Sequence, residues 1–307
     1  MRIVFMGTPQ YSVATLSALL SAGHEVSAVF CQPDKPVGRK QILTPPPVKV
    51  FAQENNIDVY QPATLRDGGA FNILSEISPD IIVVVAYGKI LPEEIIKLPK
   101  YGCINGHASL LPKLRGASPI QWAIVTGETE TGVTVMQMDK GMDTGDILTV
   151  SKTAILPDDT ADTLFERLST VTADLLTETL AMIESGNVTP QPQDNSLATY
   201  APIIKKEMAH IDFLKSAADV VNAVRGYNSW PGAFCFIGGR RIKVLSARVC
   251  DRSDTPGKVI DNNGKLIISC GFDSAVELVT VQPEGGKPMC ASTMLNGNKI
   301  PVGTVVS

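Results

Sequence analysis

Short apolar runs alternate with segments of helical spacing through the first 150 residues. RIVFMG (2–7) predicts a strand that ends at a glycine turn, and YSVATLSALLSAG (11–23) then repeats apolar residues at helical spacing before stopping at Gly23. EVSAVFCQ (25–32), DVYQP (58–62), DIIVVVAYG (80–88), GCINGHA (102–108) and GVTVMQMD (132–139) predict five further strands. A strand as continuously apolar as DIIVVVAYG is covered on both faces, which requires a parallel sheet with helices on each side. The expected N-terminal architecture is therefore α/β, a doubly wound, Rossmann-like, mostly parallel sheet.

The pattern changes after residue 150. DDTADTLFERLSTVTADLLTETLAMIESG (158–186) reads as one long amphipathic helix, entered through Asp and Thr caps and closed at Gly186. A polar, Pro-rich stretch through Glu207 has the character of a linker. A helix over SAADVVNAVRGYN (216–228) precedes the β-like runs AFCFIGG, RRIKVLSARV, GKVIDNNGKLIISCG and AVELVTVQPEGG, whose regular turns predict a small OB-like β-barrel. The expected organisation is a catalytic domain at 1–187, a linker at 188–207 and a C-terminal domain at 208–307. One connection is out of proportion. QPDKPVGRKQILTPPPVKV (32–50) combines five prolines with Lys35, Arg39 and Lys40 and shows no obvious secondary structure. A loop of that length either has a function or is a solvated excursion.

Composition narrows the partners. Net charge is −4, which argues against a protein that simply coats nucleic acid. The charge is uneven, however: residues 1–207 hold 16 Lys and Arg against 23 Asp and Glu, while 208–307 hold 11 against 8. A mildly basic C-terminal third allows a polyanion to touch one end. Cysteines 31, 103, 235, 250, 270 and 290 form no C-x-x-C pair, and His24, His107 and His210 share no ligand spacing, so reduced thiols and no metal are expected. No signal-peptide pattern or membrane-length apolar run occurs, and the chain is expected to be a cytoplasmic monomer.

The first turn, GTPQYSVA, is not G-x-G-x-x-G, and no P-loop is present, which sets nucleotide binding aside. In a doubly wound sheet the site lies at the C-terminal ends of the strands. AYGKILP (86–92), NGHASLLP (105–112) and DKGMDTGD (139–146) are expected to converge there. Asn105 and His107 are two apart, so a strand points both to one face. Their N–H groups suit an oxyanion developing on a carbonyl, and a nearby Asp would hold the imidazole charged and accept a proton from an attacking amine. No Ser or Cys is placed to force an acyl-enzyme. Each residue alone has a structural reading: a buried His, a turn Asp, an Asn satisfying backbone. The combination favours direct attack of an amine on an acyl donor.

HASLLPKLRGASPIQ followed by GMDTGDIL resembles the folate-dependent formyltransferases. VFMGTPQYSVATL, QPDKPVGR with TPPPVKVFA, ATYAPIIKKE, YNSWPGAF and MLNG extend the resemblance nearly end to end, closest to the branch that formylates methionine on initiator methionyl-tRNA. The resemblance implies 10-formyltetrahydrofolate as co-substrate, with Asn105, His107 and Asp143 catalytic. It implies that Ser109, Leu110, Leu111 and Pro112 line the folate site, with Tyr87, Ile90, Leu91 and the 139–142 backbone beside the pterin. It makes 32–50 a tRNA-binding loop, with Arg39 gripping the acceptor end and Lys35 and Lys40 nearby. In the basic C-terminal domain, Arg240, Arg241, Lys243 and Arg248 become candidate RNA contacts. A formyltransferase acting on a nucleotide-linked amino sugar would share the same trio and is the alternative. Gly106 stands where the family usually has valine, and a glycine there is expected to weaken the strand carrying Asn105 and His107.

Overall fold

A computed structural model describes residues 1–38, 40–297 and 300–307. The chain forms two compact units that are not divided at a single point: 1–119, 131–154 and 165–201 in the first, 120–130, 155–164 and 202–307 in the second.

The first unit is built on seven strands, β1 (Arg2–Gly7), β2 (Glu25–Phe30), β5 (Val59–Tyr60), β6 (Ile81–Val85), β7 (Cys103–His107), β8 (Glu130–Gln137) and β9 (Ile147–Ala154), in the order β5-β2-β1-β6-β7-β8-β9. The first five pair in parallel, as the apolar runs predict, and β8 runs antiparallel to β7. Helices α1 (Gln10–Ser21), α2 (Pro47–Glu54), α3 (Gly69–Ile77), α4 (Glu93–Ile96), α5 (Pro119–Val125) and α6 (Ala161–Glu184) follow or separate the strands. Every residue of β6 is buried, which is the structural reason for its unbroken IIVVV. One core packs Val4, Met6, Ala28, Phe30, Ile82 and Val84 against Leu74 and Ile95.

The strand order reverses between β1 and β6, and hydrogen bonds tie the loops there. Thr8 Oγ1 and Gln32 Nε2 both donate to the Tyr87 carbonyl, at 3.0 and 3.1 Å. The 32–50 connection departs from the expected structureless loop: it holds a hairpin of β3 (Lys35–Val37) and β4 (Ile42–Thr44), and Pro47 opens α2. Proline at the first helical position needs no N–H partner, so the Pro45–Pro47 run starts a helix and does not prevent one. At the hairpin's base, Lys49 Nζ lies 2.9 Å from both Asp34 carboxylate oxygens and 2.8 Å from Gln61 Oε1. Hydrogen bonding from Gln61 and then Lys49 holds the Asp34 carboxyl below its usual range.

The second unit carries α7 (Ala217–Gly226), opened by a Ser216–Asp219 capping box. Its antiparallel sheet has the order β10 (Phe234–Ile237), β11 (Arg240–Cys250), β14 (Ser274–Pro283), β13 (Leu266–Cys270) and β12 (Val259–Asp261), with β15 (Met289–Cys290) also on β14 and α8 (Ala291–Gly297) after it. Residues 305–307 join the two edges. Val306 bridges Ile237 of β10, Val305 bridges Lys258 beside β12, and Val306 N donates to Gly257 O. That closure covers both edge strands, as the expected barrel requires. Residues 120–125 of α5 belong to this unit: Trp122 and Val125 pack on its core, and Trp122 Nε1 donates to Pro202 O.

Candidate active site

β7 lies between β6 and β8, with Asn105 opposite Met136, Gly106 opposite Val135 and His107 opposite Thr134. Alternation places Asn105 and His107 on one face and Gly106 on the other. A Cβ on Gly106 would stand 2.8 Å from Thr172 Cγ2 and 3.0 Å from Leu176 Cδ1, both on α6. The glycine therefore lets α6 approach closely, and β7 stays regular through it. Gly106→Val should cost about 1–3 kcal/mol through overpacking, and adding Leu176→Ala should recover part of it. Urea unfolding of both variants checks this; an unchanged midpoint for Gly106→Val would show that α6 retreats freely.

His107 is buried, and its Nε2 lies 3.0 Å from the Leu114 carbonyl. A carbonyl only accepts, so Nε2 carries a proton and donates it, which fixes the ring. Nδ1 faces Asp143 Oδ2 at 3.7 Å, too far for a hydrogen bond. Nδ1 and the carboxylate oxygen are neighbours without being bonded to each other. Asp143 Oδ2 also accepts from Gly116 N at 2.8 Å. Asn105 is half-buried, and among the described residues its side-chain amide has no hydrogen-bond partner. An unpartnered amide, a fixed imidazole and a carboxylate are a suitable set for stabilising an oxyanion and moving one proton.

The route by which Asp143 arrives differs from the expected one. Because β8 is antiparallel, Gln137 lies opposite Ile104, and Met138 N donates to Cys103 O. The loop after β8 thus leaves the sheet beside the start of β7, not at a C-terminal strand end, and has to run back to His107. Asp139 organises its first turn, accepting from Gly141 N and Thr144 Oγ1. Asp143 itself sits at φ +57, a left-handed conformation that Asp tolerates better than most residues.

Several of the residues expected at the folate site are buried. Ser109 is fully buried, its hydroxyl donating to Lys113 O at 2.6 Å and its carbonyl accepting from Thr134 Oγ1. Tyr87 and Leu91 belong to the sheet core, and burial pushes the Tyr87 hydroxyl far above its usual range. Leu111 is buried as well, whereas Leu110 and Pro112 are half-buried and Ile90 is 74% exposed. Lys35 and Lys40 are exposed with Val37, Ile42 and Leu43 on the hairpin; Arg39 lies outside the described residues. In the second unit Arg248 is committed to a bidentate pair with Glu277 at 2.9 and 3.0 Å, and Arg241 lies over the Phe234 ring. The Arg248 side chain stays 61% exposed in this pair.

Sequence reading missed Leu114, Arg115, Gly116, Thr134 and Gln193. LPKLRG carried no clear signal, since its sequence does not show which of Lys113 and Arg115 is buried. Gln193 had no signal within its polar stretch. Among the described residues, no group of three or more His, Cys, Asp or Glu side chains is placed to hold a metal, and no helix is long and apolar enough to cross a membrane.

Residues 1–180 match the family model for formyl transferase and 203–299 that for the formyl transferase C-terminal domain. The chain is 46% identical over 309 residues to a methionyl-tRNA formyltransferase of Caldanaerobacter subterraneus subsp. tengcongensis, covering all of both chains. It is 46% identical over 307 residues to that of Geotalea uraniireducens, covering 100% of this chain and 98% of the relative. Among solved structures it resembles an N-formyltransferase from Helicobacter canadensis in complex with folinic acid and dTDP-3-aminofucose. That likeness has TM-score 0.69 at 20% identity over 91% of this chain and 98% of the other, and it speaks to the fold alone.

Proposed function

The chain belongs to the formyl transferase family, on its methionyl-tRNA formyltransferase branch, and from this premise we propose how its residues carry the reaction. The formyl group of 10-formyltetrahydrofolate passes to the amino group of methionine on initiator methionyl-tRNA. The amine nitrogen attacks the formyl carbon, a C–N bond forms, and the carbonyl electrons move onto oxygen. Asn105 and His107, acting as an imidazolium whose Nε2–H stays on Leu114 O, donate to that oxyanion. Asp143, 3.7 Å from Nδ1, accepts the proton the amine sheds. When the intermediate collapses, the C=O re-forms, the bond to the folate nitrogen breaks, and that nitrogen takes up a proton.

The observation that carries this reading is the opposed His107–Asp143 pair, with the ring's other nitrogen already committed to Leu114. The half-buried Leu110 and Pro112 and the exposed Ile90 suit the flat apolar part of the folate. The 32–50 segment, with Lys35, Arg39 and Lys40 in its sequence, serves as the tRNA grip, supported by Lys and Arg of the C-terminal domain. The protein acts in the cytoplasm as a monomer, with its chemistry in residues 1–187.

Formyl transfer offered in parallel to methionyl initiator tRNA and to a nucleotide-linked amino sugar tests the acceptor. Formyl-methionyl-tRNA is the expected product, and a formylated sugar would overturn the assignment. Arg39→Ala should raise KM for tRNA by about tenfold or more, the loss of one charge-assisted phosphate contact, and leave folate affinity unchanged. A loss of folate binding in that variant would remove the hairpin from the tRNA site.

A further inference from the structure

The stretch expected as a linker reaches into the active site. Gln193 Nε2 donates to two backbone carbonyls of the catalytic loop, Asp143 O at 2.9 Å and Gly145 O at 2.7 Å. Its Oε1 accepts from Arg115 Nε at 3.1 Å and Arg115 Nη2 at 2.6 Å. These partners leave only one orientation for the amide, because carbonyls need donors and a guanidinium needs an acceptor. Arg115 is 2% exposed, and Nη2 also donates to Asn195 Oδ1 at 2.9 Å. Its backbone is clamped by the same stretch, its N–H on Thr199 O and its carbonyl receiving Ala201 N.

The residues on either side of Arg115 touch the two reacting side chains. Leu114 gives its carbonyl to His107, and Gly116 gives its N–H to Asp143. One tripeptide thus sets the ring and the carboxylate, while its central side chain, through Gln193, holds the backbone from which Asp143 projects. We infer that Gln193, seated on Arg115, is a positioning residue that holds Asp143 in register with His107 for proton transfer. This role rests on the reading of Asp143 as the proton acceptor. The need for it is physical: Asp143 stands at positive φ in a loop that leaves the sheet beside the start of β7, and nothing in regular structure fixes its place.

Gln193→Glu is the informative change. It keeps an acceptor for Arg115, so the buried guanidinium stays paired, but it sets carboxylate oxygens against two carbonyls. In the full chain, kcat should fall about 100-fold, the scale of an ångström's misplacement, with KM for folate and tRNA within about threefold of the parent and the unfolding midpoint retained. In an Asp143→Asn background the same change should cost no further kcat, since the group it positions is already disabled. Arg115→Met with Gln193→Met, which removes the buried charge together with its partner, should repeat the pattern if the glutamate variant folds poorly. Unchanged kcat for Gln193→Glu, or an equal loss in both backgrounds, would overturn the inference in favour of a purely structural role. Normal turnover of Asp143→Asn alone would instead remove the acid–base reading beneath it, and with it this role for Gln193.

Discussion

Asp143→Asn lowers kcat by about two to four orders of magnitude, the range of a lost general base, while tRNA and folate affinities stay near the parent's. The substitution is nearly isosteric. An amide oxygen can still accept from Gly116 N, and Gln193 still holds the Asp143 carbonyl, so the loop has no reason to move. What disappears is the charge opposite His107 Nδ1 and the atom that receives the amine's proton. The affected step comes after both substrates are bound, so the loss falls on kcat and not on KM. Single-turnover formylation measured beside equilibrium tRNA binding separates the two. Turnover within a factor of about three of the parent would exclude Asp143 as the proton acceptor.

Gly116→Ala should be nearly as damaging, by a different route. Gly116 stands at φ +119, where an L side chain is strained, and a Cβ there would meet the Ala201 carbonyl oxygen at 2.8 Å. That oxygen belongs to backbone held by Arg115 O, so it has little freedom to give way. The expected cost is about 1–3 kcal/mol of stability, together with a displaced Gly116 N–H. Because that N–H is the donor on Asp143 Oδ2, kcat should fall about 100-fold as well. Urea unfolding and steady-state kinetics read the two effects independently. A variant that unfolds earlier but turns over normally would show that the Gly116 amide does not set the carboxylate.

The parallel strands were legible because their signal is local. RIVFMG, EVSAVFCQ and DIIVVVAYG carry their burial in their own composition, and Asn105 and His107 share a face by strand periodicity alone. The hairpin at Lys35–Val37 and Ile42–Thr44 was not legible. Its strands are short, exposed and interrupted by proline, so no face is patterned for burial. Gly106 read as a weak point because the sequence shows a missing side chain but not the helix that occupies its space.

From the sequence alone come the α/β sheet, the second β-rich unit, the proposal of Asn105, His107 and Asp143 as a set, and the formyltransferase resemblance. These rest on periodicity and on motifs a few residues long, which one chain displays directly. The tertiary structure decided how the set is held: Leu114 on His107, Gly116 on Asp143, and Gln193 joining Arg115 to the loop. Those hydrogen bonds span from 7 to 78 residues of chain, and three of the four have on one side a backbone group of a kind nearly every residue possesses. No sequence pattern marks which backbone groups will meet, so the support of this site becomes visible only once β8 has turned antiparallel and residues 193–201 have folded back against the loop.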